Sequence, residues 1–275
     1  MPEDYQMPKG DLMAGKRGLV MGVANHQSIA WGIASQLAAQ GAQLALAYME
    51  MNEKRVRPLG ESIGVKAYAT FDGFKEGSIE AAFATVEKTF PSLDFLVHAI
   101  GFADRSQIAG SFIDNAERGA FLRAMDISVY SFVESAKCAA ALMPAGGSMI
   151  TMTYLGSERA IPNYNTMGVA KAALEAATRY IARDLGPRGI RVNAISAGAM
   201  RTLSLAGISG GRQMLGQGRA LSALKQDTSM EGVAGCALWL LSDLGRSTTG
   251  EVVHVDAGFH MMGLPSEEQA ALAAS

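Results

Sequence analysis

Several architectures are excluded by what this 275-residue sequence holds little of. Cysteine is scarce. Only Cys138 and Cys236 occur, each in an Ala- or Leu-rich helical pattern (SAKCAAALM, VAGCALWLL). A disulfide framework needs more, so both are read as buried, reduced thiols. Long apolar runs are missing too. None approaches the ~18 residues of a membrane span. The polar, acidic start MPEDYQMPKGDLM lacks the apolar stretch of a signal peptide. Charge is sparse and balanced, with 18% charged residues and a net charge of -2. Without a basic run, no nucleic-acid surface is expected. His26, His98, His254 and His260 are scattered without metal-ligand spacing. There is no internal repeat and no Ser/Pro-rich linker. The expectation is a metal-free cytoplasmic protein with one domain over 1–275, its core at about 14–262 and loose tails at 1–13 and 264–275.

What is present is apolar sequence, 49% of the chain, punctuated by 31 glycines. Short apolar runs at 17–22, 42–48, 65–72, 93–101, 147–154, 190–198 and 250–258 read as strands. Longer runs with helical spacing at 28–41, 52–64, 78–90, 121–143, 165–187 and 230–243 alternate with them. Near-continuously apolar strands joined by helices make a parallel sheet covered on both faces. Right-handed crossovers then give an α/β, Rossmann-type doubly wound sheet of seven strands. Ligands of such sheets sit beyond the carboxyl ends of the strands.

The first such turn is GVANHQSIAWGIA (22–34). Gly22 allows a tight turn, and Ser28 either caps the helix or bonds a phosphate. The helix N-terminus offers unpaired N–H groups to a pyrophosphate. Glu50, after the second strand, is a candidate ribose-reading acid. Lys54 and Arg55 could instead meet a 2′-phosphate, but for each of the three taken alone a solvated helix charge is the favoured reading. Asp72, in FDG, is either an adenine contact or a turn-forming residue before Gly73. In the central stretch YLGSERAIPNYNTMGVAK, Tyr164 and Lys171 lie seven residues, two helical turns, apart. Tyr154 ends the fifth strand ten residues earlier. A lysine beside a phenol would lower the phenol's pKa; ordinary structural tyrosines and a surface lysine are the competing reading.

This central segment resembles that of the bacterial enoyl-acyl-carrier-protein reductases, divergent short-chain dehydrogenase/reductases with Tyr-x6-Lys in place of Tyr-x3-Lys. GVANHQSIAWGIA, LDFLVHAIGF, DISVYSF, RTLSLAGI, LGPRGIRVNAISAG and LSDLGRSTTGEVVHVDAGF match as well, so the resemblance spans about 14–262. It implies that Tyr164 bonds the thioester carbonyl, that Tyr154 is the second active-site tyrosine, and that Lys171 holds the nicotinamide ribose. It places Gly22, Ser28 and Ile29 at the pyrophosphate and Asp72 and Gly73 at the adenine. Ile100 and Gly101 fall on the ribose side, and Met200 and Thr202 at the nicotinamide. Phe102 and Leu203 join Tyr154, Tyr164 and Met200 around the substrate. The implied cofactor is NADH, with NADPH the alternative. The implied partner is enoyl-acyl carrier protein, and the small residues Ala170, Ala173 and Ala177 fit a homotetramer interface.

The sequence departs from the family at Met49, where Gln is usual, at FDG (71–73), where CDV is usual and Gly73 replaces a side chain, and at SAGAM (196–200). It departs again at Ser209, Gly210, Gly211, Arg212 and Gln213, where two glycines imply a mobile loop and Arg212 is nearly the lone cation for an acidic carrier. The rival activity is a β-ketoacyl or other carbonyl reductase; the rival class is a non-catalytic dinucleotide-binding protein. The Tyr154, Tyr164 and Lys171 set speaks against both.

Overall fold

In a computed structural model of the chain, residues 7–207 and 210–263 are described, apart from the side chains of Ser204, Ala206 and Arg212. Seven parallel strands form one sheet in the order β3-β2-β1-β4-β5-β6-β7. The strands are β1 (Arg17–Met21), β2 (Gln43–Tyr48), β3 (Ala67–Thr70), β4 (Phe95–His98), β5 (Gly147–Thr153), β6 (Ile190–Ala197) and β7 (Val252–Val255). All seven fall within the runs read as strands.

The sheet is covered on both sides. Val20, Leu44 and Leu46 point to one face, packed under α1 (Ile29–Ala39), α2 (Glu53–Ser62) and α10 (Met230–Leu241). Leu19, Met21 and Ala45 point to the other, under α3 (Ser78–Glu87), α6 (Ser131–Ala141) and α7 (Asn165–Leu185). This alternation between two buried faces is why the strands read as continuously apolar. At Gly18 an added Cβ would lie 2.1 Å from the Phe95 ring, so that glycine in β1 makes room for a core aromatic on β4.

Several expectations are corrected. The run 121–143 is not one helix. It is α5 (Arg118–Met125), one π turn (Asp126–Tyr130) and α6. The stretch after β4 was expected as a loop, but it includes the short α4 (Phe112–Asn115). Residues 7–13 are not a loose tail. Gln36 and Gln40 both donate to the Pro8 carbonyl (3.2 and 2.7 Å), Met13 N donates to Gln40 O (2.9 Å), and Met13 is fully buried. Residues 1–6 and 264–275 lie outside the described residues. Gly210 and Gly211 are not in a loop either. Gly210 (φ 81°) caps α9 (Gly211–Leu221), and a Cβ on Gly211 would stand 2.5 Å from Leu205 O in α8 (Leu203–Ala206). Ser209 lies outside the described residues, and so does the Arg212 side chain. Cys138 and Cys236 are unpaired and half-buried rather than buried; burial pushes both thiols up, Cys236 to about 11.

No helix among the described residues is long and apolar enough to cross a membrane, and no cluster of metal-ligating side chains is found among them.

Candidate active site

The strand order reverses between β1 and β4, and the residues after those strands line the crevice this opens. Gly22 (φ 98°) turns the chain after β1 so close to β4 that a Cβ would lie 2.2 Å from Ala99 O. Both the backbone conformation and the contact require glycine there. The Ser28 hydroxyl does not cap α1. It accepts from Ala24 N and Asn25 N, each at 3.0 Å, and so closes the 22–28 turn beneath the helix. The first N–H groups of α1, beginning at Ile29, face the crevice without intrahelical partners, as at any helix start.

The next contacts along the crevice come from β2 and β3. Tyr48 donates to Glu53 Oε2 at 2.5 Å, and Arg57 Nε donates to Glu53 Oε1 at 2.6 Å, so that acid is committed within α2. Glu50 stands exposed just after β2. Asp72 is exposed and accepts from Phe74 N at 3.0 Å, which is the turn-forming role. Gly73 lies over Ile127, whose Cγ2 would be 3.3 Å from an added Cβ.

Beyond β4 come Ile100, Gly101 and Phe102. The π turn aims Ser128 at this segment. Its Oγ accepts from Phe102 N and donates to Phe102 O, both at 3.0 Å. Phe102 also stacks edge-to-face on Phe74, centroids 5.0 Å apart. A Cβ on Gly101 would sit 3.6 Å from Lys171 Nζ, so the bare glycine keeps open the space in front of the lysine. Behind it, His98 is fully buried between the hydroxyls of Thr151 (3.0 Å) and Ser131 (2.9 Å). Burial, and then the Lys171 charge, pull His98 down to about 3, so it is neutral.

The two tyrosines meet at the mouth. Their rings are 4.8 Å apart and edge-to-face. Tyr154 directly follows β5, whereas Tyr164 is the residue before α7. Asn163 (φ 61°) and Asn165 (φ 37°) flank Tyr164 in positive-φ conformations that Asn tolerates better than most residues. Their side chains lock onto the 109–110 backbone. Asn163 Oδ1 accepts from Gly110 N (3.0 Å), and Asn165 Nδ2 donates to Gly110 O (3.1 Å). Strain held this firmly is concentrated at functional sites.

The expected phenolate is not there. Burial raises both phenols, Tyr154 to about 12 with Asp256 adding to the rise. Tyr164 goes higher still, with Tyr154 and Glu175 pushing the same way. Neither phenol oxygen bonds to another described residue, so both remain neutral O–H groups with their protons free to donate. Lys171 Nζ donates to Met152 O at 2.7 Å, and burial brings the ammonium down to about 8 against the opposing pull of Glu175. That bond uses one of its three N–H groups.

A cavity opens beside Tyr154 at the carboxyl ends of β5, β6 and β7. Its lining includes Ala199, Asp256 and Ile161, with Met214 and Leu215 contributed by α9. Met200 is buried nearby, Thr202 Oγ1 caps α8 by accepting from Leu205 N (3.2 Å), and Leu203 is exposed. Of the five residues expected around the substrate only Tyr154 lines the cavity; Phe102, Tyr164, Met200 and Leu203 do not. The α9 residues and Ser128 were not among the expected site residues. DISVYSF reads as helix and as a piece of the family resemblance, neither of which singles out Ser128, and GRQMLGQGRAL is too glycine-rich to suggest a helix.

A family model described as "Enoyl-(Acyl carrier protein) reductase" matches residues 22–260. The chain belongs to the enoyl-acyl-carrier-protein reductase family. Within the family it is 52% identical over 258 residues to an NADH-dependent enoyl-acyl-carrier-protein reductase 2 of Rhizobium meliloti, covering 94% of this chain and 96% of that one. The Escherichia coli NADH-dependent reductase is 44% identical over 253 residues, 92% of this chain and 97% of its own. The fold agrees as well. An enoyl-acyl-carrier-protein reductase from Anaplasma phagocytophilum in complex with NAD superimposes with a TM-score of 0.90 at 49% identity, covering 95% of this chain and all of the other.

Proposed function

We propose that this protein is an NADH-dependent enoyl-acyl-carrier-protein reductase, which saturates the double bond of a trans-2-enoyl thioester in the last step of the fatty-acid elongation cycle. The observation that carries this reading is the pair of neutral, unbonded phenols at the mouth of a dinucleotide crevice, with a buried lysine behind them. The crevice suits the cofactor: at Gly101 a side chain would fill the space before Lys171, and Gly22 keeps the first turn narrow. Gly22, Ser28 and Ile29 would hold the pyrophosphate at the start of α1. Asp72 and Gly73 would border the adenine, Ile100 and Gly101 the ribose, and Met200 and Thr202 the nicotinamide. Glu50, exposed after β2, suits an unphosphorylated 2′-hydroxyl and hence NADH over NADPH.

NADH, when bound, supplies a hydride to the β-carbon. Charge then grows on the thioester oxygen as an enolate, and it is discharged when the α-carbon takes a proton from solvent, which completes the saturated thioester. The Tyr164 O–H donates to that oxygen and strengthens as the charge develops, so it favours the transition state over the ground state. A phenolate could not donate, which makes the raised pKa of the buried ring functional. Tyr154, edge-on to Tyr164, supports the ring and presents a second donor. Lys171 directs its two remaining N–H groups at the ribose hydroxyls, and its charge adds to the field at the oxygen. Phe102, Met200 and Leu203 would line the acyl path.

Loss of NADH absorbance with crotonyl thioester tests the reading. Consumption with the enoyl thioester is expected, and consumption only with acetoacetyl thioester would support the carbonyl-reductase rival. Tyr164→Phe should lower turnover, and Lys171→Ala should also weaken cofactor binding. Tyr154→Phe should have the smaller effect of Tyr154→Phe and Lys171→Ala. A cytoplasmic homotetramer is part of the same proposal. Val133, Val169 and Tyr180 are exposed apolar side chains on α6 and α7, and Ala173 and Ala177 are half-buried on α7. Sedimentation at four times the monomer mass would support the tetramer, and a monomer would refute it.

A further inference from the structure

Tyr154 and Tyr164 sit at the ends of different elements, so their spacing depends on how α7 docks against β5. Two side chains one turn apart on α7 make that docking. Lys171 Nζ donates to Met152 O at 2.7 Å, and Glu175 Oε1 accepts from Thr153 Oγ1 at 2.5 Å. Met152 and Thr153 are the last two residues of β5 before Tyr154. Lys171, Glu175 and Thr153 are only 8, 7 and 4% exposed. Burying a carboxylate is costly unless a charge or hydrogen bonds compensate it. Enoyl reduction by two phenols and a lysine has no use for an acid, so the burial of Glu175 calls for another explanation.

We propose that Glu175 is a positioning residue, holding the end of β5 through Thr153 and serving as the buried counter-charge that keeps Lys171 an ammonium. This rests on the reading of Lys171 as the ribose-binding residue. The ionisable groups coupled to Lys171 are Glu175 on its own helix and His98 from β4, and the phenols at 154 and 164 stand at the ends of the two elements that the lysine joins. His98 and both phenols are neutral, which leaves Glu175 as the opposing charge among the described residues.

The test is the pH profile of kcat/KM for NADH in the full-length enzyme, from about pH 6 to about pH 9, which reports groups of the free enzyme. Three variants separate the two roles. Glu175→Gln keeps an acceptor for Thr153 but loses the charge, so the basic limb should move about one pH unit lower. At about pH 9, above both limbs, its KM for NADH should be about tenfold higher, as a limb moved by one pH unit implies, with kcat near pH 6 close to wild type. Thr153→Val keeps the charge and loses the bond, so the limb should stay and kcat should fall. A folded Glu175→Gln enzyme whose limb coincides with wild type overturns the proposal. If Glu175→Gln does not fold, Glu175→Asp carries the test: the charge stays but is drawn back from Thr153, so the limb should hold while kcat falls. A shifted limb in Glu175→Asp overturns the proposal. A wild-type enzyme that leaves NADH untouched would instead reject the enoyl-reductase reading itself.

Discussion

A single added methyl group should disable the site without touching a reactive atom. Gly156 lies against the ring of Tyr164. A Cβ there would be 2.3 Å from Cδ1, 2.8 Å from Cε1 and 3.3 Å from Cγ. Carbon atoms rest at about 3.5 to 4.0 Å, so the ring must retreat by roughly 1.2 Å or more. The backbone cannot yield easily on that side. A Cβ on Gly168, one turn into α7, would lie 2.7 Å from Gly156 O, so the helix already packs directly on this turn. Gly156 is not among the positive-φ residues, so alanine fits its backbone and the conflict is contact alone. Overpacking of this kind costs about 1–3 kcal/mol of stability. A donor misplaced by about 1 Å costs on the order of 100-fold in rate. Gly156→Ala should therefore remain folded, with a modest drop in Tm and a ~100-fold loss of kcat/KM for an enoyl thioester. NADH affinity, followed by fluorescence titration, should change little. A folded Gly156→Ala enzyme with wild-type turnover would refute the claim that the Tyr164 ring position carries catalysis.

Two further outcomes follow from groups away from the tyrosines. Gly216, exposed in α9, has nothing within 4 Å of an added Cβ, so Gly216→Ala should raise unfolding stability by about 1 kcal/mol in a denaturant titration. His98 is held neutral in the fold, down to about 3, whereas its ordinary value is 6.5. As pH falls below about 6.5 the unfolded chain takes up a proton that the folded chain refuses, so stability drains away between about 6.5 and about 3. His98→Gln should flatten that acid-side slope in thermal melts, and an unchanged slope would show that His98 is not its source.

The seven strands were legible because a doubly covered parallel sheet needs apolar residues on both sides of every strand, and such runs stand out between glycine turns. The break at Asp126–Tyr130 was not legible. A single π turn leaves the apolar spacing of 121–143 nearly intact, yet it directs Ser128 at the Phe102 backbone. α9 was hidden for the opposite reason. Its three glycines argue against a helix by propensity, and packing of Gly211 on Leu205 overrides them. In the site, the spacing of Tyr154, Tyr164 and Lys171 only raised a catalytic set as one of two readings, and the family resemblance chose between them. The bonds Thr153–Glu175 and Ser128–Phe102 could not be found from the sequence, because their partners are 22 and 26 residues apart and meet only through the fold. The phenolate expectation failed because spacing says nothing of burial: burial is the largest cause at both rings, the charges beside them push the same way, and the lysine lowers neither.

The most direct test of the account compares wild type with Tyr164→Phe on crotonyl thioester and NADH under saturating cofactor. The account predicts stoichiometric NADH consumption by the wild type, and a loss in Tyr164→Phe confined to kcat, on the order of 100-fold for one lost donor to a developing oxyanion. Equal rates in the two enzymes would contradict it.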